Sequence, residues 1–599
     1  MCGIAGLVKK NGNAVSTIEI EKLTDIIIHR GPDDKGYYLK NNFALGHRRL
    51  SVLDLSSAGH QPMPYRYLQI VFNGEIYNYL EIKAELETSG YTFRTGTDTE
   101  VIMAAYLHWD QECVNHFNGM WSFVIYDEKK NIFFCSRDRF GVKPFYYVNN
   151  PSIFAFGSEI KQLHSLGYNK VNLQILLDYL YIGYQNHTPE TFFKDVSQLE
   201  PGHNLIYNIE SKEILLKKYY TLEFNVDINI LDLNESELLY EEKINSAIAL
   251  RLRSDVKVGT CLSGGLDSSY IATMASKFYY QKSGKRFTSI TAQSGDPKND
   301  ETTFAKIVAD KANLDAHYTN PSSENIIEDF EKIVYHLEEP FGGPSIFMQY
   351  YVMKSAKENH CTVLLDGQGG DETLLGYERY YISFLRNLPL KDLIGWFKKI
   401  KTNSGLTLKV VVFYYFYFNF PFIRSKSLNK RLSSLNYEFK KYLNTGFVNE
   451  YANSSSKVFD LQKLEISKTQ LRSLLNYEDK NSMAWSIETR LPFLDYRVVE
   501  AAVSIKPKYK IKDGWSKFLL RKIAEKVLSN EIAWRKNKIG FEAPENFWNI
   551  NPTCNSLILN SKILNMLFHD LPKINHHGLR WKLLSIAMWE KKFGIEISN

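Results

Sequence analysis

Three short stretches carry residue types that can do covalent or phosphate chemistry. The first is MCGIAG, Met1 to Gly6. Removal of Met1 would leave Cys2 with a thiol and a free α-amine on one residue. A thiol near pKa 8.5 is only a few per cent ionised at neutral pH, and an amine near pKa 8 can take its proton as the sulfur attacks. Alone, a cysteine at this position reads equally as a small buried residue. The second stretch is LSGGLDSSY, Leu262 to Tyr270. Gly264 and Gly265 let backbone amides approach an anion. Ser263, Ser268 and Ser269 add hydroxyl donors where a helix begins and its dipole favours phosphate. No lysine follows as in G-x-x-x-x-G-K-[ST], which argues against γ-phosphoryl transfer. The third is TVLLDGQGGDE, ending in Asp371 and Glu372. Asp267 and Asp371 form a candidate carboxylate pair for Mg²⁺ against phosphates, the alternative being two helix N-caps.

The elements that must position these residues differ between the two halves. The first two hundred residues read as short β-prone runs, FALGHRRLSVLDL, YLQIVFNGEIYN and WSFVIYDEKKNIFFCSRD among them, with helical spacing in IEIEKLTDIIIHR and DTEVIMAAYLHW. An α+β sandwich is expected. After Tyr220 a polar, acidic passage reads as a linker over 221–235. Long helical patterns then alternate with the apolar runs KVGTCLS, FTSITAQ and CTVLLDG, the pattern of an α/β parallel sheet. In such sheets ligands sit outside the carboxyl ends of the strands, so the second and third stretches should converge. From about Glu372 onward the sequence is mostly helical.

Bulk properties narrow the class. At 599 residues two large domains are expected, 1–220 and 236–599. A net charge of +6, from 73 basic and 67 acidic residues, gives no basis for a nucleic-acid partner. The six cysteines, at 2, 113, 135, 261, 361 and 554, include no C-x-x-C pair, so neither a zinc site nor a disulfide framework is indicated and a reducing cytoplasm fits best. The start has too short an apolar run for a signal peptide, and no run of 18 or more clean apolar residues marks a membrane span. The nearest approach, VVVFYYFYFNFPFI from Val410 to Ile423, carries Asn419 and Pro421; burial as a helix pair is the commoner origin of such a run.

Taken together, the motifs resemble the glutamine-hydrolysing asparagine synthetases along essentially the whole chain. MCGIAG, HRGPDD, HRRLSVLDL, FNGEIYN, TGTDTE and SRDRFGVKPFYY are similar to a class II glutamine amidotransferase, an N-terminal-nucleophile hydrolase. LSGGLDSS, DGQGGDE, SMAWSIETRLPFLDYRVVEAA, KFLLR and KIGFEAP are similar to the ATP-pyrophosphatase domain of that family. The resemblance implies that Cys2 takes the glutamine amide as a thioester and releases ammonia. It places Asn73 and Gly74 in the oxyanion hole, where a donor is worth about 3 kcal/mol. Arg49 and Asp98 would hold the carboxylate and ammonium of glutamine, with Ser51, Val52, Leu53 and Glu75 completing the pocket. In the second half it implies adenylation of a carboxylate by ATP, with Leu262, Asp366 and Gly367 at nucleotide-contacting positions. Lys538 would neutralise charge, Lys517 and Arg521 would face the phosphates, and ammonia would pass internally between domains.

One departure bears on the acceptor. Where better-known members have S-G-E-G, this chain has Asp366-Gly367-Gln368-Gly369. Gln368 takes the position of the glutamate associated with aspartyl adenylate formation, and it can hydrogen-bond but carries no charge. Aspartate is the leading acceptor, with another carboxylate such as a uronic acid as the sister reading. A membrane-associated or partner-binding protein with a relic core is the reading of another class, motivated by the aromatic run beside KKIK and RSKSLNKR; intact Cys2 and S-G-G-x-D-S-S argue against it. A homodimer is compatible with the sequence.

Overall fold

The computed structural model describes residues 1–294, 300–404, 406–536, 552–571 and 577–597. The amino-terminal half holds strands β1 (Gly3–Lys9), β2 (Asp34–Lys40), β3 (Phe43–Arg49), β4 (Met63–Tyr65), β5 (Leu68–Ile76), β6 (Gly119–Asp127), β7 (Ile132–Arg137), β8 (Tyr146–Asn149), β9 (Ile153–Gly157), β10 (Ser197–Gln198), β11 (His203–Asn208) and β12 (Ile214–Lys218). They form two antiparallel sheets, β10-β8-β9-β1-β3-β2 and β12-β11-β7-β6-β5-β4. Period-two alternation within the strands does the layering. Ile4 and Val8 of β1 pack with Val71 of β5 and Val124 of β6 between the sheets. Ala5 and Leu7 turn outward onto helix Thr17–Asp25, and Phe72 and Ile76 onto helix Asp98–Trp109. Cys2 shares the parity of Ile4, and Asn73 that of Val71, so they meet at one end of the inner layer from opposing sheets.

Strands β13 (Val258–Cys261), β14 (Thr288–Ala292), β15 (Asp315–Thr319), β16 (Val363–Leu365) and β17 (Glu488–Arg490) form an all-parallel sheet ordered β15-β14-β13-β16-β17. Helices Leu233–Arg251 and Leu266–Ser283 cover one face and helix Ser345–Glu358 the other. The order reverses at β13, so the loops after β13 and β16 flank the crevice where ligands of such sheets bind. The passage expected as a plain linker contains a short helix, Val226–Ile230, capped by Asn225, and the next helix starts at Leu233 with an Asp232–Glu235 capping box. Among the described residues no helix is long and apolar enough to cross a membrane.

The halves meet across buried charge. Arg30 pairs with Glu159 at 2.9 Å and with Asp479 of the other half at 2.8 Å, and Lys161 reaches Glu338 of the other half at 3.8 Å, all nearly inaccessible to water. Removing one partner from such a cluster strands a charge away from solvent. An apolar seam of Met1, Met120, Leu471, Leu475 and Met483 runs alongside.

Candidate active sites

The Cys2 site is framed by backbone. The Cys2 N–H donates to Asn73 Oδ1 at 3.1 Å, which leaves Asn73 Nδ2, buried and without a partner, as a spare donor. At Gly74 any Cβ would run into the Met120 carbonyl, so only glycine permits β5 and β6 to approach here. Burial pushes the Cys2 thiol up, opposed first by the terminal ammonium and then by a hydrogen bond to Leu50 and the charge of Arg49. With Met1 in place the Cys2 nitrogen is an amide. The ammonium belongs to Met1, itself 1% exposed, and lies 3.2 Å from Glu488 Oε2.

Arg49 is wrapped by the loop that follows it. Its guanidinium donates to Ser56 O at 2.7 Å, Leu53 O at 3.3 Å and Asp54 O. The Ser51 N–H donates to Asp33 at 2.7 Å, and Val52 and Leu53 are buried. Asp98 opens its helix and accepts from Ile76 N–H at 2.8 Å. Burial lifts its carboxyl to about 7 against that bond. Glu75 is pushed well above the carboxylate range by burial and by Asp98, with Arg490 at 3.3 Å opposing. Arg490 also grips Glu488 at 2.6 Å. Two residues of β17, in the other half, thus complete the surroundings of Cys2. Sequence reasoning used SIETRLPFLD only as part of the resemblance and missed them.

The second site is a cavity of about 700 Å³ over β13 and β16, within the size range of small-molecule sites. Leu262, Ser263, Gly265, Asp267, Ser268, Asp366, Gly367, Gln368, Asp371 and Lys517 all line it. Gly264 and Ser269 do not. Gly264 has φ +77°, and its Cβ position lies 2.7 Å from Ala305 N, so it makes the turn. Ser269 is fully buried. Ser263 Oγ lies 3.0 Å from Ser268 Oγ and accepts from Gly265 N–H at 3.3 Å. The two loops touch, the Cβ position of Gly367 lying 3.3 Å from Ser268 N. Lys517 Nζ bridges the carboxylates, pairing with Asp371 at 2.7 Å and with Asp267. Arg521 instead turns aside to Ser516 O at 2.9 Å and Ala533 O at 2.7 Å while still edging the cavity. Lys538 and KIGFEAP lie outside the described residues.

An acid that sequence reasoning missed stands behind Gln368. Glu478, on helix Gln470–Met483, is bonded by Gln349 Nε2, and Asp366 and Gln368 approach its carboxyl. Its Oε1 is buried without a hydrogen bond of proper geometry. Burial and Asp366 hold Glu478 well above the carboxylate range. Burial also raises Asp366, opposed by hydrogen bonding with Glu478 and by the Gly367 N–H, from which it accepts at 2.5 Å. The same helix lends Leu474 and Tyr477 to the cavity and Leu471, Leu475 and Met483 to the seam beside Met1. No sequence motif marked Glu478, because only the return of a distant helix brings it here.

Comparison with known proteins agrees with this two-part construction. Residues 1–220 match the glutamine amidotransferase domain family and residues 239–589 the asparagine synthase family. The chain belongs to the asparagine synthase family. Asparagine synthetase [glutamine-hydrolyzing] 1 of Bacillus subtilis is 31% identical over 98% of this chain and 96% of its own length. Putative asparagine synthetase [glutamine-hydrolyzing] 2 of Methanocaldococcus jannaschii is 39% identical over 65% of this chain and 79% of its own. Amidase chry2 of Gibberella zeae is 27% identical over 95% and 93%. This protein is an enzyme that joins a glutamine amidotransferase half to an ATP-using synthetase half.

Proposed function

We propose that the chain hydrolyses glutamine at Cys2 and uses the ammonia to amidate a carboxylate, aspartate first, through an acyl-adenylate, releasing AMP and pyrophosphate. The meeting of the Leu262–Ser269 and Asp366–Asp371 loops at the crevice between β13 and β16, in a chain that also holds Cys2 against Asn73, carries this reading. Residues 1–220 and 236–599 are taken as the two working domains.

In the first, Cys2 Sγ attacks the amide carbon once Met1 is removed, its proton passing to the α-amine. Asn73 Nδ2 and Gly74 N–H receive the oxyanion, and water later resolves the thioester. Arg49 suits the substrate carboxylate and Asp98 its ammonium. In the second, the acceptor carboxylate attacks the α-phosphorus, pyrophosphate departs against Ser263, Gly265 and Ser268, and ammonia displaces AMP. Helix Gln470–Met483, shared by the apolar seam and the cavity wall, supports an internal route for ammonia, which bulk water would protonate.

The residues present fit Mg²⁺. Asp267 and Asp371 lie close enough to share one cation, and Asp267 Oδ1 is buried without a hydrogen bond. Hard oxygen donors joined to phosphate oxygens are what that ion takes, and it would supply charge neutralisation to the departing pyrophosphate. Lys517 contributes positive charge at the same place.

Incubation with ATP, glutamine and aspartate should yield asparagine and AMP. Active glutaminase and ATP-binding without asparagine would reject aspartate in favour of another carboxylate. Gln368, with the Asp366–Glu478 acid pair behind it, is the observation that favours that second reading. The full-length similarity to a protein named as an amidase is compatible with it.

A further inference from the structure

The helices Leu408–Asn419 and Pro421–Arg431 carry a surface that the amidation chemistry does not use. Sequence reasoning expected this aromatic run to be buried, and only one side of it is. Val411 and Phe418 sink into a cluster with Tyr380 and Leu385, whereas Lys409, Val412, Phe413, Phe416 and Phe420 recur at helical spacing on the outer side. Phe413 is 54% exposed, Phe416 46% and Phe422 69%. The outer rings form a ladder, Phe416 to Phe420 at 5.6 Å and Phe420 to Phe422 at 6.2 Å. Phe422, Lys426 and Lys430 continue it at helical spacing along the second helix.

Charge is concentrated in the same place. From 390 to 431 the sequence has nine Lys and Arg and one acid, Asp392, in a chain whose whole net charge is +6. The remainder is therefore slightly acidic. Lys399 is tied to Asp513 at 2.9 Å, and Arg424 donates to Phe418 O at 3.0 Å. Among the described residues no carboxylate pairs with Lys391, Lys398, Lys401, Lys409, Lys426 or Lys430.

Rings and lysines on one face discriminate between partners. The centre of a protein interface is depleted in lysine, and a second copy of this face would set like charges together. At a bilayer surface both groups are satisfied at once, aromatic rings at the headgroup level and lysine stems reaching phosphates. We propose that this helix pair docks the enzyme peripherally on anionic phospholipid bilayers, lying in the interface without crossing it. Asn403, Ser404 and Leu406, which lead into the pair, also line the synthetase cavity, so docking sets that cavity wall close to the membrane.

The test sediments the full-length protein with vesicles of phosphatidylcholine alone and of equal parts phosphatidylcholine and phosphatidylglycerol. Binding to the anionic vesicles should exceed that to the neutral ones by about tenfold or more and fall with added salt. Two variants, Phe413→Ser/Phe416→Ser/Phe422→Ser and Lys409→Glu/Lys426→Glu/Lys430→Glu, should each lose that binding while glutamine hydrolysis and circular dichroism are unchanged. Equal sedimentation with both vesicle types, or undiminished binding by both variants, overturns the proposal. So does the absence of binding to the anionic vesicles; self-association that the serine variant abolishes, or retention on immobilised single-stranded RNA, would then assign the face to a second copy or to RNA.

Discussion

Around Cys2 the polar groups are held by main chain: Asn73 by the Cys2 amide, Asp98 by the Ile76 N–H of β5, and Arg49 by three carbonyls of the loop that follows it. Around the synthetase cavity the charged groups sit at helix starts and hold one another, with Lys517 joining two carboxylates from segments more than a hundred residues apart. The first arrangement rests on backbone groups already in place. The second is an ion cluster, whose balance would change on entry of the phosphates and cation of the proposed reaction. In the proposed reaction a site held by main chain suits attack on one small amide, and a rearrangeable cluster suits two successive steps on a larger assembly of substrates.

The comparison breaks most visibly at the nucleophile. Cys2→Ala should abolish glutamine hydrolysis, measured as glutamate release, and leave ammonia-dependent amidation intact; loss of glutamine hydrolysis together with the ammonia reaction would mean that the two plans are one. Intact mass should show Met1 absent from the active protein. Next in size, Asp267→Asn or Asp371→Asn should lower ATP–pyrophosphate exchange by about a hundredfold or more while glutamate release stays measurable. Normal exchange in Asp371→Asn would remove that residue from the metal role.

A pH profile sharpens the contrast further. Asp98 is lifted to about 7 by burial, so below that pH it is protonated and cannot pair with the glutamine ammonium. The kcat/KM for glutamine should therefore fall about tenfold per unit on the acid side, and Asp98→Asn should be low and flat there. The smallest effect is expected at the acceptor end. Burial and the approach of Asp366 raise Glu478 well above the usual carboxylate range, which favours its protonated form within the pair. Asp366→Asn should slow amidation by about tenfold, whereas Glu478→Gln, which imitates the protonated acid, should change it by less than about threefold and flatten the alkaline limb. A Glu478→Gln profile superimposable on the parent would leave that acid as packing.

What the sequence disclosed follows the same division. The convergence of the Ser263 and Asp366 loops was legible because apolar runs and Gly-rich turns announce parallel strands and their carboxyl ends. Asn73 was tied to Cys2 only through the resemblance, and the alternation in β1 and β5 that brings the two into one layer emerged with the strands themselves. Strands β15 and β17 were not separated from their surroundings: DAHYT is polar, and ETR is a three-residue strand inside a longer motif. Glu488, Arg490 and Glu478 escaped notice because each acts across a chain distance that no local pattern encodes. The exposed side of the aromatic helix was misjudged because hydrophobicity alone does not reveal which neighbours remain to cover it.

Met1 bears on when the enzyme becomes competent. Its side chain is 1% exposed within the apolar seam, and its ammonium is held by a glutamate that follows it in the chain by nearly five hundred residues. An exopeptidase needs the terminus free in its own cleft, which a docked Met1 does not offer. In the reading that makes Cys2 the nucleophile, trimming would therefore be open only while the amino-terminal half stands apart from β17, and β17 closing over an untrimmed Met1 would bury the residue that has to leave.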